Sequence, residues 1–277
     1  MPRYALTIAY DGTDFHGWQK QHPPDSEPLR TVQGLVEAAV EELVRQPVHV
    51  LGASRTDSGV HAEGQVASFE SPKPLDPTVL PAALTSRLPS DVQVRSAQEV
   101  DLRFNPIGDA TSKGYRYRLA YARATADSRP LFDRHYTSWC PGELDLEGMQ
   151  RAARDLVGEH DFAALTRVRH GRESTVREIF DCTVVEEEDR RLRIDVSGNG
   201  FLWNMVRIIA GTLVGVGEGR IEPDSIPDIL ASLDRQRAGR TMPPEGLCLM
   251  WIRFGAPGAG QERQRLAAAR RREEEAD

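Results

Sequence analysis

Two successive runs of strand-like and helix-like segments, each in the order β-α-β-β-α-β, predict an α/β (α+β) fold for this chain. Its 277 residues are enough for one or two domains, and 39% hydrophobic residues are enough for a sizeable core. The architecture that we expect from the repeated pattern is two tandem ferredoxin-like lobes with a central cleft, where a ligand would bind.

The first run is predicted to form an N-terminal lobe over residues 1–106. Alternating apolar residues predict its opening strand at 5–10. Apolar residues at helical spacing predict the helix that follows, with Thr31 as its N-cap. The remaining predicted elements are strands at 48–52 and 65–69, a short helix at 81–87 and a strand at 91–96.

The second run is predicted to form a C-terminal lobe over residues 107–254. Its predicted strands are 114–120, 177–185, 191–196 and 246–254, and its predicted helices are 145–157, 201–216 and 225–233. Residues 255–277 are rich in glycine and proline at first and then in charged residues, without an aromatic side chain. This tail is predicted to be frayed or disordered, with an arm that contacts RNA as the alternative.

Composition excludes several classes of protein. The apolar runs are interrupted before they reach the roughly 20 residues of a membrane span, and no leader precedes the first strand, so we expect a soluble, cytoplasmic protein. Three widely spaced cysteines predict neither a disulfide framework nor a zinc site. The net charge of −7 does not indicate nucleic-acid binding, but it leaves room for a local basic cleft.

The densest group of polar residues is the loop at 52–62, which is centred on Asp57. The tetrapeptide Thr-Asp-Ser-Gly within it is, taken alone, typical of an ordinary turn. A turn requires neither Arg55, two residues before the aspartate, nor the Val-His-Ala sequence that continues into the next predicted strand. The loop is therefore the first candidate for a chemical site.

The sequence R-T-D-x-G-V-H-A at 55–62 resembles the catalytic loop of the tRNA pseudouridine synthase A family. Six further segments resemble segments of that family and occur in the family's order, so that the resemblance covers about residues 4–254. They are Y-D-G-T-D-F-x-G-W-Q at 10–19, T-V-Q-G at 31–34, K-x-Y-x-Y at 113–117, G-x-H-D-F at 158–162, N-M-V-R-x-I-x-G at 204–211 and P-E-G-L at 244–247.

The resemblance implies the pseudouridine synthase fold and the conversion of uridine to pseudouridine at positions 38–40 of the tRNA anticodon stem-loop. It also implies a homodimer. The reaction breaks the bond between ribose C1′ and uracil N1 and rejoins the base through C5 without a redox change, so that neither a cofactor nor a metal is expected. It needs an ionised carboxylate as nucleophile or base, and Asp57 is predicted to supply it. Attack at C1′, attack at C6 and formation of a glycal remain open.

Three other side chains complete the predicted site. Arg207 lies among apolar residues of a predicted helix, where a charge is costly unless it meets a carboxylate, and the resemblance favours Asp57 as its partner. Tyr115 matches the family's active-site tyrosine and is predicted to stack on the target uracil, with Tyr117 supporting it. Arg55 is predicted to occupy the place of the extruded base and to bind phosphate.

Other residues have weaker predicted roles. Asp11 and Trp18 are expected to brace the catalytic loop, and His61 is expected to pack within it. A basic stretch predicts a phosphate track, with solvated arginines as an equal alternative; its members are Arg167, Arg169, His170, Arg172 and Arg177.

The sequence departs from the family pattern in two places. Ser54 replaces a residue that is commonly glycine in the family, and residues 104–108 lack the family's arginine, which removes an expected contact to RNA.

Two rival functions stay open. One is an inactive RNA-binding protein or chaperone of the same fold, and the other is a small-molecule isomerase or lyase that uses Asp57 as a base.

Overall fold

The fold is mixed α/β, as the sequence predicted. A computed structural model describes residues 1–21, 27–122, 129–167, 174–188 and 190–260. It contains two compact units, each discontinuous in sequence. The first comprises Met1–Ser58, Ala62–Thr111 and the described residues from Trp251 onward, and the second comprises Gly59–His61 and Ser112–Met250. The division into the predicted lobes 1–106 and 107–254 stays a prediction.

The first unit has an antiparallel sheet in the order β4-β1-β3, with the short strand β2 beside β3. Its elements follow the predicted order and are β1 (Arg3–Tyr10), α1 (Val32–Val44), β2 (Leu51–Gly52), β3 (His61–Glu70), α2 (Leu80–Thr85) and β4 (Val92–Val100). Tyr4, Leu6 and Ile8 lie on one face of β1 and are completely buried, and Ala5 and Ala9 of the opposite face are buried as well, so that both faces of the strand are covered. The strand predicted at 48–52 is present only as the two residues of β2.

The second unit has the sheet order β5-β9-β8-β7, with β6 parallel to β5 and β10 on the other side of β5. Its elements are β5 (Ala110–Ala122), β6 (Ser138–Pro141), α3 (Leu146–Arg154), β7 (Gly158–Asp161), β8 (Val176–Glu187), β9 (Arg191–Gly198), α4 (Met205–Gly217), α5 (Ile226–Ser232) and β10 (Leu247–Phe254). Strands β6 and β7 were not predicted. Every residue of α4 except Arg207 is buried.

No helix among the described residues has the length and apolar character that crossing a bilayer would require.

A buried aspartate anchors the chain beyond β10 in the first unit. Asp109 is completely buried, and its carboxylate accepts backbone N–H groups of Asn105 at 2.9 Å, Gly258 at 3.0 Å and Gly260 at 2.8 Å. The carbonyl of Asp109 also accepts the N–H of Gly255 at 2.9 Å. Residues 255–260 are thereby tied to the start of β5, and residues 261–277 of the predicted tail lie outside the described residues.

We expect Asp109→Ala to lower the free energy of unfolding by about 3 kcal/mol, because it leaves one buried and two partly buried N–H donors without this acceptor. Urea denaturation measures the change. Asp101→Ala is the matched control, since Asp101 forms a surface ion pair with Arg103, and its removal should have little effect. Equal midpoints for the two variants would contradict a structural role for Asp109.

Candidate active site

The loop that carries Asp57 is tied to β3 by a buried glutamine. Gln65 is completely buried; its Nε2 donates to the carbonyl oxygen of Ser54 at 2.6 Å, and its Oε1 accepts the N–H of Ser54 at 3.3 Å. The N–H of Ala53 donates to the carbonyl of Val66 at 2.8 Å. The amide of Gln65 thus provides hydrogen-bond partners for both the backbone N–H and the carbonyl of Ser54, which lies outside the strands. Ser54 has no positive φ, so its replacement of glycine adds no backbone strain.

Residues on both sides of Asp57 are held by the segment 10–19. The hydroxyl groups of Tyr10 and Thr56 are 2.8 Å apart, and the N–H of Trp18 donates to the carbonyl of Thr56 at 3.1 Å. Ser58 Oγ donates to the carbonyl of Phe15 at 3.0 Å. The aspartate therefore stands between two residues whose positions are fixed by hydrogen bonds.

The indole of Trp18 forms part of the floor beneath this loop. Trp18 is buried, and a Cβ atom at Gly52 would lie 2.3 Å from its ring. The carboxylate of Asp11 accepts the N–H and the hydroxyl of Thr13, at 3.0 and 2.6 Å, and so shapes the segment that carries the indole. These contacts are the bracing that the sequence predicted for Trp18 and Asp11.

Gly17 is the point of closest approach between the segment 10–19 and the Asp57 loop. Its φ is +88°, and a Cβ atom there would lie 2.6 Å from the carbonyl oxygen of Thr56 and 3.2 Å from the carbonyl carbon of Asp57. Only glycine accommodates both the positive φ and the contact.

Exposure alternates along the loop. Thr56 is buried, whereas Arg55 is exposed and Asp57 is partly exposed. The floor therefore holds Thr56 and leaves its two charged neighbours accessible to solvent, which is compatible with the roles predicted for Asp57 and Arg55.

The two tyrosines of β5 lie on one face of that strand in the second unit. Tyr115 pairs with Val196 and Tyr117 with Ile194 of β9. The ring of Tyr115, which is 7% exposed, meets the ring of Phe201 edge to face at 5.2 Å. Tyr117 is completely buried, its hydroxyl donates to the carbonyl of Pro243 at 2.9 Å, and burial raises its pKa above the ordinary value.

Arg207 projects from the first turn of α4, also in the second unit. Its Nε donates to the carbonyl of Met242 at 2.6 Å, and its Nη1 donates to Oδ1 of Asn204 at 3.0 Å. Asn204 is the N-cap residue and has a φ of +60°, a conformation that asparagine tolerates better than most residues. The guanidinium is thus oriented by a carbonyl and an amide that are themselves fixed.

The predicted site residues are distributed over both units. Arg55 and Asp57 share one loop of the first unit, and Tyr115 and Arg207 lie in the second. Their assembly into a single site stays a prediction. His61 is buried, and its ring centre lies 5.0 Å from that of Tyr136, which agrees with the packing role expected for it.

The predicted phosphate track is only partly described. Arg167 is exposed and lies over the ring of Trp203, with Cζ 4.5 Å from the ring centre. Arg177 donates to the carbonyls of Ser174 and Val176. The predicted members Arg169, His170 and Arg172 lie outside the described residues. Within the described part of the chain, no three His, Cys, Asp or Glu side chains converge as a metal site would require.

Sequence reasoning missed the parts that Gln65, Gly17 and Phe201 play. Gln65 stands next to the apolar residues Val66 and Ala67 of β3, and this polar residue was a signal, because a buried amide needs partners. The close approach at Gly17 and the ring contact of Phe201 depend on tertiary packing and have no such local signal.

Comparison with known proteins supplies the decisive observation. The family model described as tRNA pseudouridine synthase matches residues 6–107 and 152–255. This chain belongs to the tRNA pseudouridine synthase family. The family resemblance predicted from the loop and the six further segments is confirmed.

Relatives in this family match nearly their full length. A tRNA pseudouridine synthase A of Geotalea uraniireducens is 44% identical over 252 residues, which are 91% of this chain and 99% of that protein. The proteins of the same name from Caldicellulosiruptor saccharolyticus and Acetivibrio thermocellus are each 42% identical, over 90% and 92% of this chain and over 98% and 100% of their own lengths. The chain therefore spans the length of these synthases rather than one of their parts.

We expect Gly17→Ala to loosen the loop of this family member around Asp57. The added methyl group would meet the carbonyl of Thr56 and force a positive φ on alanine, at a cost of about 2 kcal/mol or more in the free energy of unfolding. Trypsin cleavage after the exposed Arg55 should become faster, which gel or mass analysis of a time course would measure.

Gly219→Ala is the matched control, because Gly219 also has a positive φ, +69°, but its Cβ position is open. That variant should leave cleavage after Arg55 unchanged. Equal cleavage rates at Arg55 in the two variants would show that Gly17 does not hold the loop.

Proposed function

We propose that this protein converts uridine to pseudouridine at positions 38–40 of the tRNA anticodon stem-loop. The observation that carries the proposal is the match to the tRNA pseudouridine synthase family together with the Arg55-Thr56-Asp57 loop that its motif describes. The contacts around Thr56 support it, because they fix the backbone next to a residue with a partly exposed carboxylate. Preorganisation of this kind removes the need to order the nucleophile during the reaction.

Asp57 is proposed as the nucleophile or base. Pseudouridine formation needs a single carboxylate that attacks or deprotonates the nucleoside, while the detached uracil turns and rejoins the ribose through C5. The bond from C1′ to N1 breaks, the bond from C1′ to C5 forms, and the proton from C5 moves to N1, so that no electrons or groups enter from outside. Neither a cofactor nor a metal is part of the proposal.

Arg207 is proposed to supply the positive charge that the family resemblance places beside the Asp57 carboxylate. The carbonyl of Met242 and the amide of Asn204 support this role, since they fix the guanidinium at the start of an otherwise buried helix. A charge in such surroundings is costly unless it has a function or a partner. Arginine suits the role because it stays protonated at any physiological pH.

Tyr115 and Arg55 are proposed to bind the substrate. Tyr115 would stack on the target uracil, and Tyr117, whose hydroxyl is bonded to the carbonyl of Pro243, would support it. A paired uridine must leave the stack to react, at a cost of a few kcal/mol. The exposed Arg55 would occupy the vacated space and contact phosphate.

We propose further that the protein acts as a cytoplasmic homodimer on its tRNA substrate. The length match to the tRNA pseudouridine synthases supports the tRNA partner. The dimer and the compartment rest on the family resemblance.

Tritium release from tRNA labelled at C5 of uridine tests the proposal, because the reaction replaces the C5 hydrogen with the bond to ribose. The unmodified enzyme should release tritium. Asp57→Asn should lower release at least about 1,000-fold while tRNA affinity stays within a few-fold, since the side chain keeps its shape. Asp76→Asn, at an exposed aspartate of the first unit, is the matched control and should keep full activity.

The rival functions give different results in the same samples. An inactive RNA-binding protein would release no tritium from any tRNA but would bind tRNA with affinity that falls steeply with salt. A small-molecule isomerase would show neither release nor a steep salt dependence. Equal tritium release by Asp57→Asn and by the unmodified enzyme would show that another residue performs the chemistry.

A further inference from the structure

Trp203 is a large aromatic residue that the fold leaves in solvent. It precedes α4 by two residues and is 45% exposed, although α4 itself is buried apart from Arg207. Tryptophan is enriched at interfaces, because its ring offers a large apolar face while its N–H can stay in water. Trp203 is also only four residues from Arg207, so that it lies at the same end of the helix as a residue of the proposed site.

Arg167 and the backbone around it hold Trp203 in place. The guanidinium carbon of Arg167 lies 4.5 Å from the centre of the indole. The carbonyl of Trp203 accepts the N–H of Arg167 at 3.3 Å and the hydroxyl of Thr166 at 3.1 Å. Two hydrogen bonds to one carbonyl fix the register of the two segments, and the cation and the ring therefore form a prepared pair.

The charge of Arg167 is available to a ligand. Arg167 is exposed, and none of the ion pairs among the described residues includes it. A guanidinium that stacks on an aromatic ring keeps its N–H donors at its edge, where they can reach a phosphate oxygen.

The segment that carries Trp203 also carries the aromatic residue that contacts the predicted uracil-binding tyrosine. Phe201 is two residues before Trp203, and its ring meets that of Tyr115 edge to face at 5.2 Å. Within the second unit, aromatic side chains thus extend from Tyr115 through Phe201 to the start of α4.

We propose that Trp203 and Arg167 form a stacking platform for an unpaired base of the tRNA, next to the uridine that is converted. The inference rests on the proposed function. An indole and a guanidinium present planar, π-rich or cationic surfaces on which any base can stack, and base stacking on an aromatic side chain is largely independent of sequence. A paired stem offers its base faces to neighbouring pairs, so the platform favours a loop nucleotide over the stem.

Equilibrium binding of two labelled RNAs tests the platform. One is a hairpin with the anticodon stem and loop, and the other is a fully paired duplex with the same number of phosphates. Trp203→Ala should weaken hairpin binding roughly 5- to 150-fold and leave duplex binding unchanged, and Trp203→Phe should restore most of the hairpin affinity. Phe132→Ala, which removes an aromatic side chain that is 93% exposed in the same unit, is the matched control and should bind both RNAs normally.

Arg167→Ala should weaken both RNAs and reduce the slope of log affinity against log salt by about one, because one phosphate contact is lost. Trp203→Ala should keep the slope, since stacking releases no counterion. Urea denaturation and light scattering accompany each variant. The platform is overturned if Trp203→Ala binds the hairpin like the unmodified protein, if it weakens hairpin and duplex equally, or if its loss of affinity follows a changed oligomeric state.

The binding measurement separates this inference from the proposed function. If the unmodified protein releases tritium while Trp203→Ala keeps full hairpin affinity, the function stands and the platform is wrong. If no tRNA releases tritium but Trp203→Ala loses hairpin affinity selectively, the platform stands as an RNA-binding site and the isomerase is wrong.

Discussion

The position of Asp57 depends on its buried neighbour Thr56. The hydroxyl of Thr56 is bonded to Tyr10, and its carbonyl accepts the N–H of Trp18. A buried hydroxyl and carbonyl without partners would each cost about 1–3 kcal/mol, so the floor must supply both bonds for the loop to keep this path. Because Gly17 passes against the same carbonyl, the segment 10–19 cannot move without moving the loop. The position of Asp57 therefore depends on residues of the segment 10–19 as well as on its own loop.

In the second unit, Arg207 is held by a different kind of contact. Arg207 is bonded to the carbonyl of Met242, and this bond requires that α4 and the segment 239–242 keep their separation. Two glycines make that separation short: a Cβ at Gly211 would lie 1.8 Å from the carbonyl oxygen of Arg240, and one at Gly239 would lie 2.2 Å from the carbonyl oxygen of Gly211. Direct packing of backbone on backbone leaves little room for adjustment. Small residues in the backbone packing therefore help to position the guanidinium.

Most elements of the first unit could be predicted, because its apolar residues recur at the spacing of a strand or a helix. The prediction was wrong where an element is short or where its end has an unusual backbone conformation. Strands β6 and β7 have four residues each, too few for a recognisable alternation. The helix predicted from residue 201 begins at Met205, because Asn204 has a positive φ. Asp57 and the bracing by Trp18 could be predicted from a motif. The contacts of Gln65 and the pairing of Arg167 with Trp203, 36 positions apart, are set by tertiary structure.

The departure at 104–108 has a structural reason that also bears on RNA binding. Asn105 Oδ1 accepts the N–H groups of Ile107 and Gly108, each at 3.0 Å, and Asp109 secures Gly258 and Gly260. The polar side chains of this turn are thus engaged in closing it and in holding the C-terminal segment, where the family usually has an arginine. In a chain of net charge −7, the attraction for phosphate must then come from cations that internal carboxylates do not neutralise. Arg167, which forms no ion pair among the described residues, is the cation of the proposed platform, where it lies over the ring of Trp203.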